Sequence, residues 1–210
     1  MYQPRLFREE NRERLHDLVE RHSFGMLMVA TPGAEVDIAH VPFVLDRQVG
    51  EHGRLRLHVA KANPIWKRAL AAGRVTAVFT GPHGYVSAGW YEKPSEQVPT
   101  WNYAVVHAHG APRKLERDEL VQLLDDLVAA NEGGAEGAWS SRRLAPELRD
   151  ELLLQIVGLS IDIATLEGKL KLSQNRSPTD HARVVEGLRA RGRPDDRALV
   201  DLITGGGPTE

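Results

Sequence analysis

Val98-Pro99-Thr100-Trp101-Asn102-Tyr103-Ala104-Val105-Val106-His107-Ala108-His109-Gly110 is the stretch whose alternation sets the fold class. A turn ends at Pro99, and β-favouring residues then alternate with others, as a strand requires. Trp101, Tyr103, Val105, His107 and His109 fall on one side of that strand, and Asn102, Ala104, Val106 and Ala108 on the other. One face therefore carries two aromatic rings and two imidazoles. The other is small and mostly apolar, and suits close packing. The pattern reads either as a site wall backed by a core or as an ordinary barrel strand with amphipathic aromatics at its rim.

Working outward from this strand, the flanking segments are mostly short strands. Ser23 to Thr31 is apolar on both faces and reads as a central strand, making a hairpin with Val36 to Leu45 across the turn Thr31-Pro32-Gly33. Leu55 to Val59 alternates cleanly, Val75 to Thr80 follows, and after an expected turn at Gly81-Pro82-His83-Gly84 a further strand begins at Tyr85. Val157 to Ile163 alternates late in the chain, and Lys169 to Arg176 reads as partly extended. Helices are expected at Asn11 to His22, from Asn63 to about Gly73, and over Arg117 to Ala130, Pro146 to Gln155 and Pro178 to Arg191. Asn131 to Gly137 and Gly205 to Glu210 read as loose, Gly-containing segments. Strand–helix alternation never continues long enough for a doubly wound sheet. The expectation is an α+β, mainly β chain. It would be one domain over residues 1–210, a six- to seven-stranded antiparallel barrel with peripheral helices and a helical C-terminal part at about 178–204.

Composition narrows the function classes. Lys and Arg total 27 against 29 Asp and Glu, a net charge of -2, which provides no overall attraction to DNA or to an anionic membrane. Cysteine is absent, which excludes disulfides, iron–sulfur clusters and thiolate chemistry. No apolar run approaches the roughly 20 residues of a membrane span, and the N-terminus lacks an apolar signal core. A cytoplasmic location is expected, with no membrane partner.

Two segments are candidate anion sites. Asn63-Pro64 is a strong helix start, and a helix N-terminus offers unpaired N–H groups beside a partial positive charge. Lys61, Lys67 and Arg68 surround it. The same residues also read as a solvated surface helix with long cationic side chains. The second segment is Lys169 to Arg176. Lys169, Lys171, Ser173 and Asn175 would share one face of a strand, as a ligand-binding donor set or as a charged edge that blocks aggregation. His107 and His109 are spaced two apart, as two metal ligands on one strand can be, but no third ligand is fixed by spacing, and hydrogen-bonding roles account for them as well. No metal is expected. No dinucleotide fingerprint, phosphate-binding Walker loop, nucleophile elbow or basic helix-turn-helix is present.

Taken together, the motifs resemble a known family. Met1-Tyr2-x-Pro4-x-x-Phe7, Ser23-Phe24-Gly25, His40-x-Pro42, Ala62-Asn63-Pro64-x-Trp66, Gly81-Pro82-His83-x-Tyr85, Trp90-Tyr91, Val98-Pro99-Thr100-Trp101-Asn102-Tyr103 and Lys171-Leu172-Ser173-Gln174-Asn175-Arg176 match, in order and spacing, the PaiB-type FMN-binding negative transcriptional regulators. The resemblance covers roughly residues 1 to 195, and departs at the variable loops and the Gly-rich segment after Asn131. It implies an FMN-binding split barrel, a homodimer with flavin sites at the subunit interface. It implies that His58, Lys61, Asn63, Trp66, Lys67 and Arg68 surround the phosphate. Trp101, Asn102, Lys171, Ser173, Gln174, Asn175 and Arg176 would face the ring or the ribityl chain. The family's regulatory label comes from effects on protease and sporulation genes in bacilli, and DNA is a possible partner by that label. Related split barrels include flavin-dependent oxidoreductases, with haem-handling barrels as a variant. Catalysis on a small substrate at the dimer interface, with Tyr103, His107 or His109 donating protons, is therefore the alternative.

Overall fold

The computed structural model describes residues 1–132 and 139–205. Most of the expected loose segments 131–137 and 205–210 lie outside the described residues. Its strands are β1 (Arg8–Glu9), β2 (Phe24–Val29), β3 (Asp37–Pro42), β4 (Val44–Asp46), β5 (Arg54–Ala60), β6 (Val75–Val86), β7 (Thr100–Lys114) and β8 (Ile156–Lys171). Its helices are α1 (Arg12–Arg21), α2 (Ile65–Ala72), α3 (Arg117–Glu132), α4 (Pro146–Leu153), α5 (Pro178–Arg191) and α6 (Pro194–Thr204). The strands run in the order β3-β2-β6-β7-β8-β5-β4, with β1 against β8. The sheet is antiparallel and open, and it matches the expected split barrel.

The strand count differs from the expected six or seven in three instructive places. Val36 to Leu45 is not one strand. It breaks at Phe43, whose ring is buried and meets Phe79 edge-on at 5.1 Å. The expected strand at Val157 to Ile163 runs on as β8 to Lys171, taking in only the first three residues of the Lys169 to Arg176 segment. Gly81-Pro82-His83-Gly84 is not a turn, because β6 runs straight through it. Gly84 is needed there for close approach. A Cβ on Gly84 would lie 2.9 Å from Leu199 Cδ1 and 3.0 Å from Arg191 Nη2.

Contacts divide the chain into two units, each discontinuous in sequence. The larger is His16–Phe79 with His107–Leu166. Its β5 alternates as predicted: Leu55, Leu57 and Val59 are buried, while Arg54, Arg56 and His58 occupy the opposite face. The Arg56 guanidinium on that face bridges Asp46 and Asp126, which holds its pKa above the ordinary value against the opposing effect of burial. From Val157 to Ile161, β8 is buried on both faces, because Leu115 and Leu120 cover the side that Gly158 leaves open. Leu120 and Leu123 are the buried residues of α3. Each fully buried aliphatic side chain of this core contributes about 1.5–3 kcal/mol.

The smaller unit is Met1–Leu15, Thr80–Val106 and Glu167–Glu210. Here α5 buries Val184, Val185 and Leu188, and α6 buries Leu199 and Val200. Ser177 caps α5, its Oγ accepting from the Asp180 N–H at 3.1 Å. The turn between the helices is fastened by the Arg191 guanidinium, which donates twice to the buried Asp196 carboxylate. That hydrogen-bonded cation holds the Asp196 pKa below the ordinary carboxylate value. Among the described residues, no helix is long and apolar enough to cross a membrane.

The predicted small face of β7 is buried as expected: Asn102, Ala104, Val106 and Ala108 have almost no exposure. Gly110 continues that row, and a Cβ there would lie 2.1 Å from the Asp162 carbonyl oxygen. Gly110→Ala is expected to destabilise the fold by about 1–3 kcal/mol, the cost of overpacking a close contact. Urea unfolding of the variant at constant m-value measures it, and an unchanged midpoint would refute the close packing.

Candidate functional site

The first predicted set lies in the larger unit, along β5 and the start of α2. Asn63 Oδ1 accepts from the Ile65 N–H at 3.0 Å, and Pro64 already has helical backbone angles, so the local sequence builds the expected helix start. Trp66 Nε1 donates to the Lys61 carbonyl at 3.1 Å, which folds the indole back over the loop. The Lys67 and Lys114 ammonium groups lie 5.3 and 6.0 Å from that ring. Lys61 and Lys67 are exposed cations with no ion pair among the described residues. Arg68 is engaged differently, by a salt bridge to Asp37 at the start of β3. Its charge is therefore already matched.

His58 stands apart from these surface cations. Its Nδ1 is buried with no hydrogen-bond partner among the described residues. Burial holds its pKa below the ordinary histidine value. The ring borders a groove with Ile38, His40, Asn63 and Ile156, and also lines an apolar hollow formed by α3 and α4.

The second predicted set lies in the smaller unit. Asn102 and Ser173 form a buried pair: Asn102 Nδ2 donates to Ser173 Oγ at 3.0 Å, and that hydroxyl is 3.2 Å from Asn102 Oδ1. The expected shared strand face of Lys169, Lys171, Ser173 and Asn175 does not persist. The strand ends at Lys171, and Ser173 turns into the left-handed region at φ 66. That turn points the hydroxyl inward, to Asn102. Gln174 supports the turn itself, accepting from the Leu172 N–H at 2.7 Å and donating to the Leu170 carbonyl at 2.6 Å. Asn175 is exposed.

Three cations crowd this turn. Lys171 Nζ donates to Thr100 Oγ1 and to the Trp101 carbonyl at 2.9 Å. Arg176 donates to Gln97 Oε1 at 2.5 Å and stacks 4.4 Å over the Tyr91 ring. Lys169 lies 5.4 Å from the Tyr2 ring and 5.5 Å from the Tyr103 ring. None of the three forms an ion pair among the described residues. Burial, and then the charges of Lys169 and Arg176, hold the Lys171 pKa below the ordinary lysine value. The Trp101 ring is half exposed, with His83 at 6.2 Å and Tyr85 at 6.3 Å. Unmatched positive charge beside exposed rings suits a planar, anionic ligand.

Tyr2 is not among the residues expected at the site, and Lys169, a candidate donor on the expected strand face, is not in the set that the family resemblance implies. The signal for Tyr2 lay in the opening Met1-Tyr2-x-Pro4 motif, and that for Lys169 in its alternation with Lys171. His107 and His109 meet edge-on at 6.1 Å, and His109 Nδ1 lies 2.9 Å from Thr76 Oγ1, a hydrogen-bonding role.

Residues 1–165 match a family described as "Putative FMN-binding domain". The chain belongs to this FMN-binding family, the PaiB family, and FMN is its cofactor. A relative from Bacillus subtilis, "Protease synthase and sporulation protein PAI 2", is 33% identical over 203 residues, 97% of this chain and 96% of that protein. An uncharacterised protein of Emericella nidulans is 26% identical, with 90% of each chain aligned. Two solved structures share the fold. The FAD and heme binding protein of Mycobacterium smegmatis superposes at a TM-score of 0.58 with 21% identity, over 83% of this chain and 78% of that one. The flavocytochrome Anf3 of Azotobacter vinelandii superposes at 0.59 with 15% identity, over 84% and 75%.

The depressed His58 pKa has a consequence for this PaiB-family protein. Between the folded value and the ordinary value of about 6.5, the unfolded chain binds more protons than the folded one. Stability is therefore expected to rise with pH across that window and to fall as pH drops below about 6.5. His58→Gln should flatten this slope in thermal melts between about pH 5 and 7. An identical slope in the variant would show that His58 does not carry it.

Proposed function

We propose that this protein is an FMN-responsive regulator of the PaiB type, acting as a homodimer in which a second copy completes the flavin site. The observation that carries the reading is the cluster of Lys169, Lys171 and Arg176, held close together without carboxylate partners beside the Asn102–Ser173 pair. Holding like charges together is unfavourable unless a ligand compensates them. End-to-end similarity to a Bacillus protein named for protease synthesis and sporulation supports the regulatory part.

In this reading His58, Lys61, Asn63, Trp66, Lys67 and Arg68 surround the phosphate. Lys61 and Lys67 supply charge, while Arg68 serves mainly to anchor β3 to α2. Trp101, Lys171, Gln174, Asn175 and Arg176 face the ring or ribityl chain, with the buried Asn102 and Ser173 behind them. The Asn102–Ser173 pair and the Gln174 turn fix their orientation, and Lys171 and Arg176 supply the charge. A bound flavin supplies one- or two-electron chemistry. The DNA part rests on the relative's name, since neither net charge nor a recognition helix favours a duplex.

A second reading is a flavin-dependent oxidoreductase acting on a small substrate. It is favoured by the likeness in fold to a flavocytochrome, and Tyr103, His107 and His109 are its candidate proton donors. Steady oxidation of NADPH by the yellow protein would favour it, whereas salt-dependent binding to a specific duplex would favour the regulator.

The visible spectrum after FMN addition and desalting is expected to show flavin bands, and a flat spectrum would overturn the cofactor assignment for this chain. Lys61→Ala and Arg176→Ala are each expected to weaken FMN binding by about 1–3 kcal/mol, read by fluorescence titration. Unchanged affinity in both variants would remove these residues from the site. Light scattering at micromolar concentration is expected to give the mass of a dimer, and a monomer would contradict a site completed by a second copy.

A further inference from the structure

We propose that the hollow between α3 and α4 is a second ligand site, for a small apolar carboxylate, sharing only His58 with the flavin set. The hollow has a volume of about 560 Å³, within the roughly 300–1,000 Å³ typical of small-molecule sites. Its walls are aliphatic: Leu124, Leu127 and Val128 come from α3, Leu152 and Leu153 from α4, and Ile156 from β8.

The hollow exists because α4 does not seal against α3. Among the residues of α4 only Leu153 is buried. Leu148 and Leu152, one turn apart, stay 45% and 49% exposed, and Trp139 at the rim is 43% exposed. The lining is concave and almost wholly apolar, as the walls of small-molecule clefts are.

The charge of the occupant follows from Arg149. It is the one Lys or Arg in the lining among the described residues. Its Nε is buried without a hydrogen-bond partner, and the guanidinium forms no ion pair among the described residues. Glu132, the exposed last residue of α3, also borders the hollow but does not reach Arg149 as an ion pair. An apolar cleft with one unmatched guanidinium suits a ligand with a hydrocarbon body and one carboxylate, which a planar guanidinium binds through two parallel hydrogen bonds. His58 forms part of the wall as a desolvated imidazole. It adds no second positive charge at neutral pH.

Calorimetric titration of the purified full chain with decanoate, and separately with 1-decanol, tests this. Decanoate is expected to bind with one site per chain. Arg149→Gln should weaken decanoate at least about ten-fold, the loss of a charge-assisted pair, while leaving 1-decanol unchanged. Leu124→Trp, which fills the hollow, should abolish both. If Leu124→Trp melts early, Val128→Phe provides the same test from the next turn of α3. Flavin uptake, read from its visible bands, should be the same in all variants, so failure of the flavin reading and failure of this one are distinguishable. Absence of decanoate binding, full binding to the filled variants, or displacement of decanoate by FMN would each overturn the proposal. Equal decanoate affinity in Arg149→Gln would overturn the carboxylate class.

Discussion

The antiparallel ladder between β5 and β8 is the constraint on which the larger unit depends. It pairs Arg54 with Asp162 and continues without a break to Ala60 opposite Ile156. A one-residue slip would turn Leu55, Leu57 and Val59 outward and drive Arg54, Arg56 and His58 into the core. The register is therefore fixed by the burial of three aliphatic side chains against three polar ones. It places His58 at the foot of α3 and α4, and delivers the chain at Ala60 to the turn that starts α2. The Arg54–Asp162 salt bridge sits across one end of the ladder, exposed, and adds little beside the apolar term.

In the smaller unit, the strand ends matter more than the strands. Where β8 stops at Lys171, the chain takes a left-handed residue at Ser173, and the side chains that follow no longer alternate. A continuous strand would have shown four donors in a row to one side. The turn instead buries one hydroxyl against Asn102, uses one amide to hold its own backbone, and gathers three cations around aromatic rings. The polar groups that are satisfied internally make the turn rigid, and those left unmatched are available to a ligand. Division of labour within a six-residue motif explains why a single substitution there can affect either stability or binding.

Each unit contains both matched and unmatched sheltered charge. Arg191 and Asp196 neutralise each other at the α5–α6 turn, and Arg56 is shared between two carboxylates. Lys171, Lys169, Arg176 and Arg149 have no such counter-ions among the described residues. Cations that a fold matches serve packing, whereas those it leaves unmatched in sheltered surroundings mark places where an anion is favourable.

Much of this was legible in the sequence. The period-two pattern after Pro99 specified β7 and which face it buries, because pleat geometry admits only that reading. Asn63-Pro64 specified the start of α2, and Ser177-Pro178 that of α5, because capping and a fixed φ act locally. The ordered motifs carried the family and its cofactor. The sequence did not decide what depends on distant neighbours. Gly81 to Gly84 has the composition of a turn, yet continues a strand because Leu199 and Arg191 press against it. Arg68 looks like a phosphate ligand until Asp37, 31 residues earlier, is seen to hold it. The hollow lined by Leu124, Leu152 and Arg149 has no local signature, since each helix alone is an ordinary amphipathic segment. Whether two such faces seal or leave a cavity depends on how the helices and the strand beneath them pack in three dimensions.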